Sequence, residues 1–205
     1  MIIACLDLEG VLVPEIWIAV AERTGIAELR ATTRDIPDYD KLMQQRLRIL
    51  AEHNLTLCDI QSVIGELRPL SGANEFLDWL REHYQVAILS DTFYEFALPL
   101  MQQLGYPILL CHRLEIDKNN CIVGYHLRQD NSKCESVKAF RSLHYPVIAV
   151  GDSYNDTSML SEANIGILFK PPSNVVREFK EFPVTTSYSE LRKVISDASA
   201  KIENR

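Results

Sequence analysis

Short runs of consecutive apolar residues alternate along the chain with longer stretches whose apolar positions recur every three or four residues. The runs at 2–8, 86–90, 108–111, 147–150 and 165–169 predict strands. Helical spacing predicts helices over 14–24, 38–53, 56–67, 73–83, 94–104, 135–143, 155–163 and 188–200. Pro14 sits where a first helical turn tolerates proline, and Gly25 ends that helix. Tyr39, Leu42, Met43, Leu47 and Leu50 share one helix face, and Thr56 is a cap for the next helix. Pro99 predicts a kink or a late start in the 94–104 helix. Segments 114–117 and 121–128 read as a hairpin across Lys118-Asn119-Asn120, with irregular chain at 31–37 and a break at 69–72.

Short, fully apolar strands between helices imply a parallel sheet covered on both faces, an α/β doubly wound fold. The all-helical stretch between the first two strands breaks the alternation. It reads as an inserted cap, giving a catalytic core of residues 1–13 and 70–205 and a small helical cap of residues 14–69.

Charge narrows the function. The 205 residues carry 21 basic and 28 acidic side chains, net −7, which argues against a dedicated nucleic-acid binder. The apolar start is interrupted at Asp7 and has no basic leader, so neither a membrane span nor a signal peptide is expected, and the protein is expected in the cytoplasm. Five cysteines without a Cys-x-x-Cys pair suggest reduced, space-filling thiols. His53, His83, His112, His126 and His144 lack metal-ligand spacing, and Trp17 and Trp79 read as packing residues. Phe93 suits either the core or a pocket wall.

In an open α/β sheet, ligands bind beyond the carboxyl ends of the strands. Three predicted strands end there in polar groups: Asp7-Leu8-Glu9, Ser90-Asp91, and Gly151-Asp152 followed by Ser153-Tyr154-Asn155-Asp156. If the strands are neighbours, their carboxylates repel one another unless a cation intervenes, and a hard oxygen set suits Mg²⁺. Asp7 and Glu9, two apart on extended chain, project to the same side, so one can attack while the other manages a proton.

These residues resemble the motifs of the haloacid dehalogenase superfamily of phosphohydrolases. Its Asp-x-Asp-x-(Thr/Val) motif corresponds to Asp7-Leu8-Glu9-Gly10-Val11, its Ser/Thr strand end to Ser90, and its Gly-Asp-x-x-x-Asp motif to Gly151–Asp156. The basic motif is matched by Lys133, with Lys138 as the alternative. Glu9 departs from the usual Asp by one methylene, which bears on acceptor preference.

Within the superfamily the chain is similar to phosphoserine phosphatases, and more narrowly to the bacterial bifunctional phosphoserine phosphatase/homoserine phosphotransferase family, through Asp-Leu-Glu-Gly-Val-Leu, Leu89–Phe93 and Gly151–Asp156. The resemblance implies Asp7 as nucleophile and Glu9 as acid and base. Ser90 and Lys133 would hold phosphoryl oxygens. Mg²⁺ would sit on Asp7, the Glu9 carbonyl and Asp152, supported by Asp156. Glu15 would take the ammonium of O-phosphoserine and Arg46 its carboxylate, with Asn155 also at the substrate and homoserine as a further acceptor.

Blander readings stand beside these. Glu15 suits a first helical turn as an acid, Arg46 suits a solvated helix face, and Arg48 competes with it. Two other functions fit the motifs: a phosphatase for another small phosphomonoester, and a non-catalytic, metal-binding response domain phosphorylated on Asp7.

Overall fold

The computed structural model describes residues 1–32, 35–36 and 38–203. Part of the irregular stretch expected at 31–37 therefore lies outside the described residues. Seven strands run in chain order as β1 (Ile3–Leu6), β2 (Gln85–Phe93), β3 (Ile108–Ile116), β4 (Ile122–His126), β5 (Val147–Gly151), β6 (Ile165–Phe169) and β7 (Val184–Thr185). They form one sheet in the order β4-β3-β2-β1-β5-β6-β7, parallel throughout except for the β3–β4 hairpin.

Alternation along the strands explains why the sheet needs helices on both faces. Ala4, Leu6, Ile88, Ile148, Val150 and Ile167 belong to one apolar cluster, while Ile3, Cys5, Ala87, Leu89, Val147, Ala149 and Leu168 belong to a second. The first face packs on α4 (Ala73–His83), α5 (Tyr94–Gln103) and α9 (Tyr188–Glu203) through Phe76, Leu80, Phe96, Leu191 and Ile195. The second packs on α6 (Ser132–Ser142), α7 (Thr157–Glu162) and α8 (Ser173–Glu178) through Val137, Met159, Leu160 and Val175. Each fully buried aliphatic side chain here contributes about 1.5–3 kcal/mol.

Residues between β1 and β2 form α1 (Ile16–Thr24), a 3-10 turn (Ala27–Arg30), α2 (Tyr39–Glu52) and α3 (Leu57–Glu66) ahead of α4. Gly25 closes α1 in the left-handed region at φ 72°. The Asp38 side chain accepts from the Lys41 N–H at 3.1 Å to cap α2. Thr56 and Asp59 cap α3 reciprocally. Ile16, Trp17, Met43, Ile60 and Ile64 share one apolar cluster with Leu8, Phe93 and Phe96 of the sheet side.

Some elements differ from their sequence expectation. The expected strands at 108–111 and 114–117 are one strand, β3, which pairs with β2 at its start and with β4 at its end. β2 runs on to Phe93 past a register shift between Leu89 and Phe93, which carries Ser90 and Asp91 out of regular pairing. α6 begins at Ser132, so Lys133 lies in its first turn and not ahead of it. The short α8 and β7 carry too few residues for a readable period. Among the described residues no helix is long and apolar enough to cross a membrane.

An outer helix and the sheet approach each other closely at Gly166 on β6. A Cβ there would lie 2.5 Å from the Leu160 carbonyl oxygen and 2.7 Å from the Leu160 Cβ. Gly166→Ala is expected to lower stability by about 1–3 kcal/mol, the usual cost of overpacking. Urea unfolding of both proteins measures this, and an unchanged midpoint would mean that α7 withdraws freely from the sheet.

Candidate active site

Strand register places the first acid. Leu6 pairs with Ile88 on one side and Val150 on the other, and the Asp7 N–H donates to the Val150 carbonyl at 2.9 Å. Asp7 therefore leaves the central strand level with Gly151, next to the Asp152 loop, where the chain order reverses direction across the sheet. Its Oδ1 accepts from the Leu8 N–H at 2.7 Å and lies 3.0 Å from Lys133 Nζ.

Lys133 is 3% exposed and is the hub of the site. Its Nζ is 2.7 Å from Asp156 Oδ1, 3.0 Å from Asp7 and 3.6 Å from Asp91 Oδ2. Burial alone would strip its proton, but Asp156, Asp7 and Asp91 outweigh burial and hold the ammonium charged. Lys138, the alternative raised by sequence, is exposed and pairs with Glu135 at 2.7 Å.

Asp7, Asp152 and Asp156 offer carboxylate oxygens that lie within 4.8 Å of one another. Burial pushes the Asp7 carboxyl well above its ordinary value, and Asp156 adds to this against the pull of Lys133. Two glycines leave room for the cluster. A Cβ on Gly10 would lie 2.6 Å from the Asp152 carboxylate, and one on Gly151 would lie 2.4 Å from Asp156. Asp156 Oδ2 accepts from the backbone N–H groups of Asp152 and Ser153, at 2.9 and 3.1 Å, so it shapes the loop as well as holding Lys133. Asp7, Asp152 and Asp156, all with hard oxygen donors, fit a divalent cation.

Glu9 Oε1 accepts from the Ile16 N–H at 3.4 Å, tying the end of β1 to the start of α1. Burial raises its carboxyl to about 8, helped by Glu15, while the Ile16 N–H, Arg46 and Lys133 pull it down. Arg46 is not on a solvated helix face. It is 7% exposed, and its Nη2 donates to the Ala31 carbonyl at 2.9 Å. Burial draws its pKa down to about 10, so it stays charged at neutral pH. Arg48, its competitor, is exposed near Glu52.

One pocket of about 860 Å³ is lined by Asp7, Glu9, Glu15, Arg46, Ser90 and Lys133, together with Asp152 and Asn155. Of the residues that the resemblance assigned to the site, all but Asp156 lie on its wall, and Asp156 is fully buried; Lys138, Arg48 and Phe93 do not line it.

Sequence reasoning gave Asp91 a place at a strand end but no role, and gave none to His112 or Tyr39; all three also line the pocket. Asp91 accepts from Asn155 Nδ2 at 2.9 Å and faces His112 Nε2 at 3.6 Å, and its backbone carbonyl accepts from the Tyr39 hydroxyl at 3.2 Å. Burial would raise the Asp91 carboxyl, but Lys133, His112 and Asn155 together hold it below its ordinary value. Adjacency to Ser90 at a strand end was a usable signal for Asp91. His112 gives none, since it arrives through the pairing of β3 with Phe93.

The sequence pattern of the haloacid dehalogenase-like hydrolases matches residues 3–164. Phosphoserine phosphatase ThrH of Pseudomonas aeruginosa is 67% identical over 201 residues, 98% of each chain. A phosphoserine phosphatase of Pseudomonas syringae pv. tomato is 66% identical over 197 residues, 96% of this chain and 83% of its own. Among solved structures, a phospho-aspartyl intermediate analogue of phosphoserine phosphatase superposes with a TM-score of 0.77 at 20% identity, over 94% of this chain and 97% of its own, a likeness of fold. With that pattern matching the chain from β1 to just past α7, and a 67% identical relative matched over 98% of its length, the chain belongs to the haloacid dehalogenase-like hydrolases.

Proposed function

We propose that the protein is a Mg²⁺-dependent phosphoserine phosphatase that works through an aspartyl phosphate on Asp7 and also passes the phosphoryl group to homoserine. The observation that carries this reading is the pocket itself. Its floor is the Asp7–Lys133 pair at 3.0 Å, and its wall holds the buried, charged Arg46 with Glu15 close by. Such a pocket presents a nucleophile and phosphate donors at one end, and a carboxylate and an ammonium partner at the other. The names of the two Pseudomonas relatives support the substrate. The response-domain alternative has less support, because the family is one of hydrolases.

In the first half-reaction an Asp7 carboxylate oxygen attacks phosphorus in line. The bond from phosphorus to the serine oxygen breaks, and Glu9 gives its proton to that oxygen. A carboxyl raised to about 8 holds such a proton at neutral pH. In the second half, Glu9 takes a proton from water, whose oxygen attacks phosphorus. The bond to Asp7 breaks, and phosphate leaves. A homoserine hydroxyl in place of water gives O-phosphohomoserine by the same exchange. Ser90 and Lys133 hold the phosphoryl oxygens throughout.

Asp7, the Glu9 carbonyl and Asp152 would hold Mg²⁺, which when bound neutralises charge on the transferring group. Asp156 supports this set through the Asp152 backbone and Lys133. Residues 14–69 act as the cap, closing over the floor with Glu15 and Arg46. Asn155 steadies the phosphate side through Asp91.

Asp7→Asn is expected to abolish release of phosphate from phosphoserine. Glu9→Gln is expected to slow it by roughly 10²–10⁴ and to leave phosphorylated Asp7 detectable by mass spectrometry after acid quench. Full activity in either variant overturns the role of that residue.

Exhaustive EDTA treatment is expected to silence the enzyme and added Mg²⁺ to restore it. Activity that survives chelation would remove the metal from the reaction.

With phosphoserine and millimolar homoserine, phosphorus NMR is expected to show a new phosphomonoester beside free phosphate. Free phosphate as sole product would make the protein a phosphatase only.

A further inference from the structure

Arg46 is buried, yet its contacts with polar protein groups are few for a guanidinium. Nη2 donates to the Ala31 carbonyl at 2.9 Å, and Nη1 lies 3.7 Å from the Met43 sulfur, one turn back on α2. Nε is buried and makes no hydrogen bond among the described residues. A guanidinium carries five N–H bonds in a plane, and two parallel bonds to a carboxylate require that plane to be fixed. Two in-plane contacts to flexible or single acceptors do little to stop the group rocking about its own plane.

The aromatic ring of Trp17 supplies the missing constraint. Arg46 Cζ lies 4.4 Å from the Trp17 ring centroid, within stacking and cation–π range. The ring is itself braced. Trp17 meets Phe96 edge-on, with centroids 5.4 Å apart and planes at 71°, and Phe96 meets Phe93 at 5.8 Å and 88°. Phe96 is fully buried on α5 and Phe93 is nearly so at the end of β2, three residues after Ser90. Trp17 is 8% exposed and lines the same pocket as Arg46. The guanidinium plane is thus referenced, ring by ring, to the strand that carries the phosphate-side serine.

We propose that Trp17 is a specificity-determining positioning residue, whose indole face fixes the plane of the Arg46 guanidinium for bidentate capture of the substrate's carboxylate. This rests on the reading of the pocket as a phosphoserine site with Arg46 as carboxylate partner. Packing alone would also bury Trp17, but packing does not distinguish a substrate with a carboxylate from one without.

The test compares phosphoserine with phosphoethanolamine, which lacks only the carboxylate, on Mg²⁺-loaded full-length protein. The measured quantity is the ratio of kcat/KM for the two substrates. Trp17→Leu is expected to lower that ratio about tenfold, the scale of a desolvated cation–π contact. Trp17→Phe keeps an aromatic face and is expected to retain most of it. In an Arg46→Ala background, Trp17→Leu is expected to leave the ratio where Arg46→Ala alone puts it, because the plane being held is gone. Turnover of phosphoethanolamine shows that each variant has folded. If Trp17→Leu fails to fold, Trp17→Phe and Trp17→His, which keep a flat ring of different strength, replace it, and the ratio is expected to follow the cation–π strength of the ring.

An unchanged ratio in Trp17→Leu overturns the inference, as does an equal loss with and without Arg46. The underlying reading fails in a different way: wild-type protein would then turn over both substrates with equal kcat/KM, or Arg46→Ala would leave the ratio unchanged.

Discussion

Everything at the carboxyl edge of the sheet is organised around one buried ammonium shared among carboxylates. Lys133 lies between Asp156 at 2.7 Å, Asp7 at 3.0 Å and Asp91 at 3.6 Å. Burying any of these charges singly costs several kcal/mol, so the arrangement is stable only as a set. Removing the lysine would leave three acids facing one another. Removing one acid would loosen a lysine that reaches the ends of β1 and β2 and the loop after β5. The acids outnumber the ammonium, and that imbalance leaves the floor with oxygen donors of the kind that suit a cation.

The sheet makes this set possible because parallel pairing brings strand ends from distant parts of the chain to one level. Asp7 and Asp152 are 145 residues apart in sequence, yet the register of Leu6 with Val150 sets them side by side. Gly10, at φ +76°, accepts both a left-handed backbone and the Asp152 carboxylate where a side chain would stand. Main-chain geometry and charge placement therefore constrain each other, and neither Gly10 nor Gly151 can gain a side chain without displacing an acid.

Much of this was legible in the residues before any coordinates. The apolar runs located five strands, four of them because strands buried on both faces read as unbroken hydrophobic stretches, while the run that starts β3 is exposed at Ile108. The acids at their ends were visible for the same reason, since an acid directly after such a run marks where the chain leaves the buried sheet. What could not be read was contact between elements. His112 shows no motif spacing and reaches Asp91 through strand pairing. Trp17 looks like any apolar residue on a helix until α2 brings a guanidinium over its face. Arg46 and Arg48 are two apart on one helix, and which of them turns inward depended on where α2 packs. The extension of β2 past Ser90 was hidden because a register shift leaves no mark on hydrophobic pattern.

Two parts of the pocket lining carry opposite deficits. The floor has more acids than its lysine can balance, while Arg46 on the wall is a buried cation whose Nε makes no hydrogen bond among the described residues. Stacking on Trp17 and the bond to Ala31 offset part of the cost of burying that guanidinium, and Glu9 and Glu15 attract it from nearby. None of these supplies the paired oxygens that a guanidinium fork accepts best. A ligand with a carboxylate relieves the wall, and a divalent cation with a phosphoryl group relieves the floor. A phosphomonoester lacking the carboxylate satisfies only one of the two and leaves the arginine as it was. On the proposed reading, selectivity of this kind would need no large contact area, because it would rest on charges that the fold has already buried.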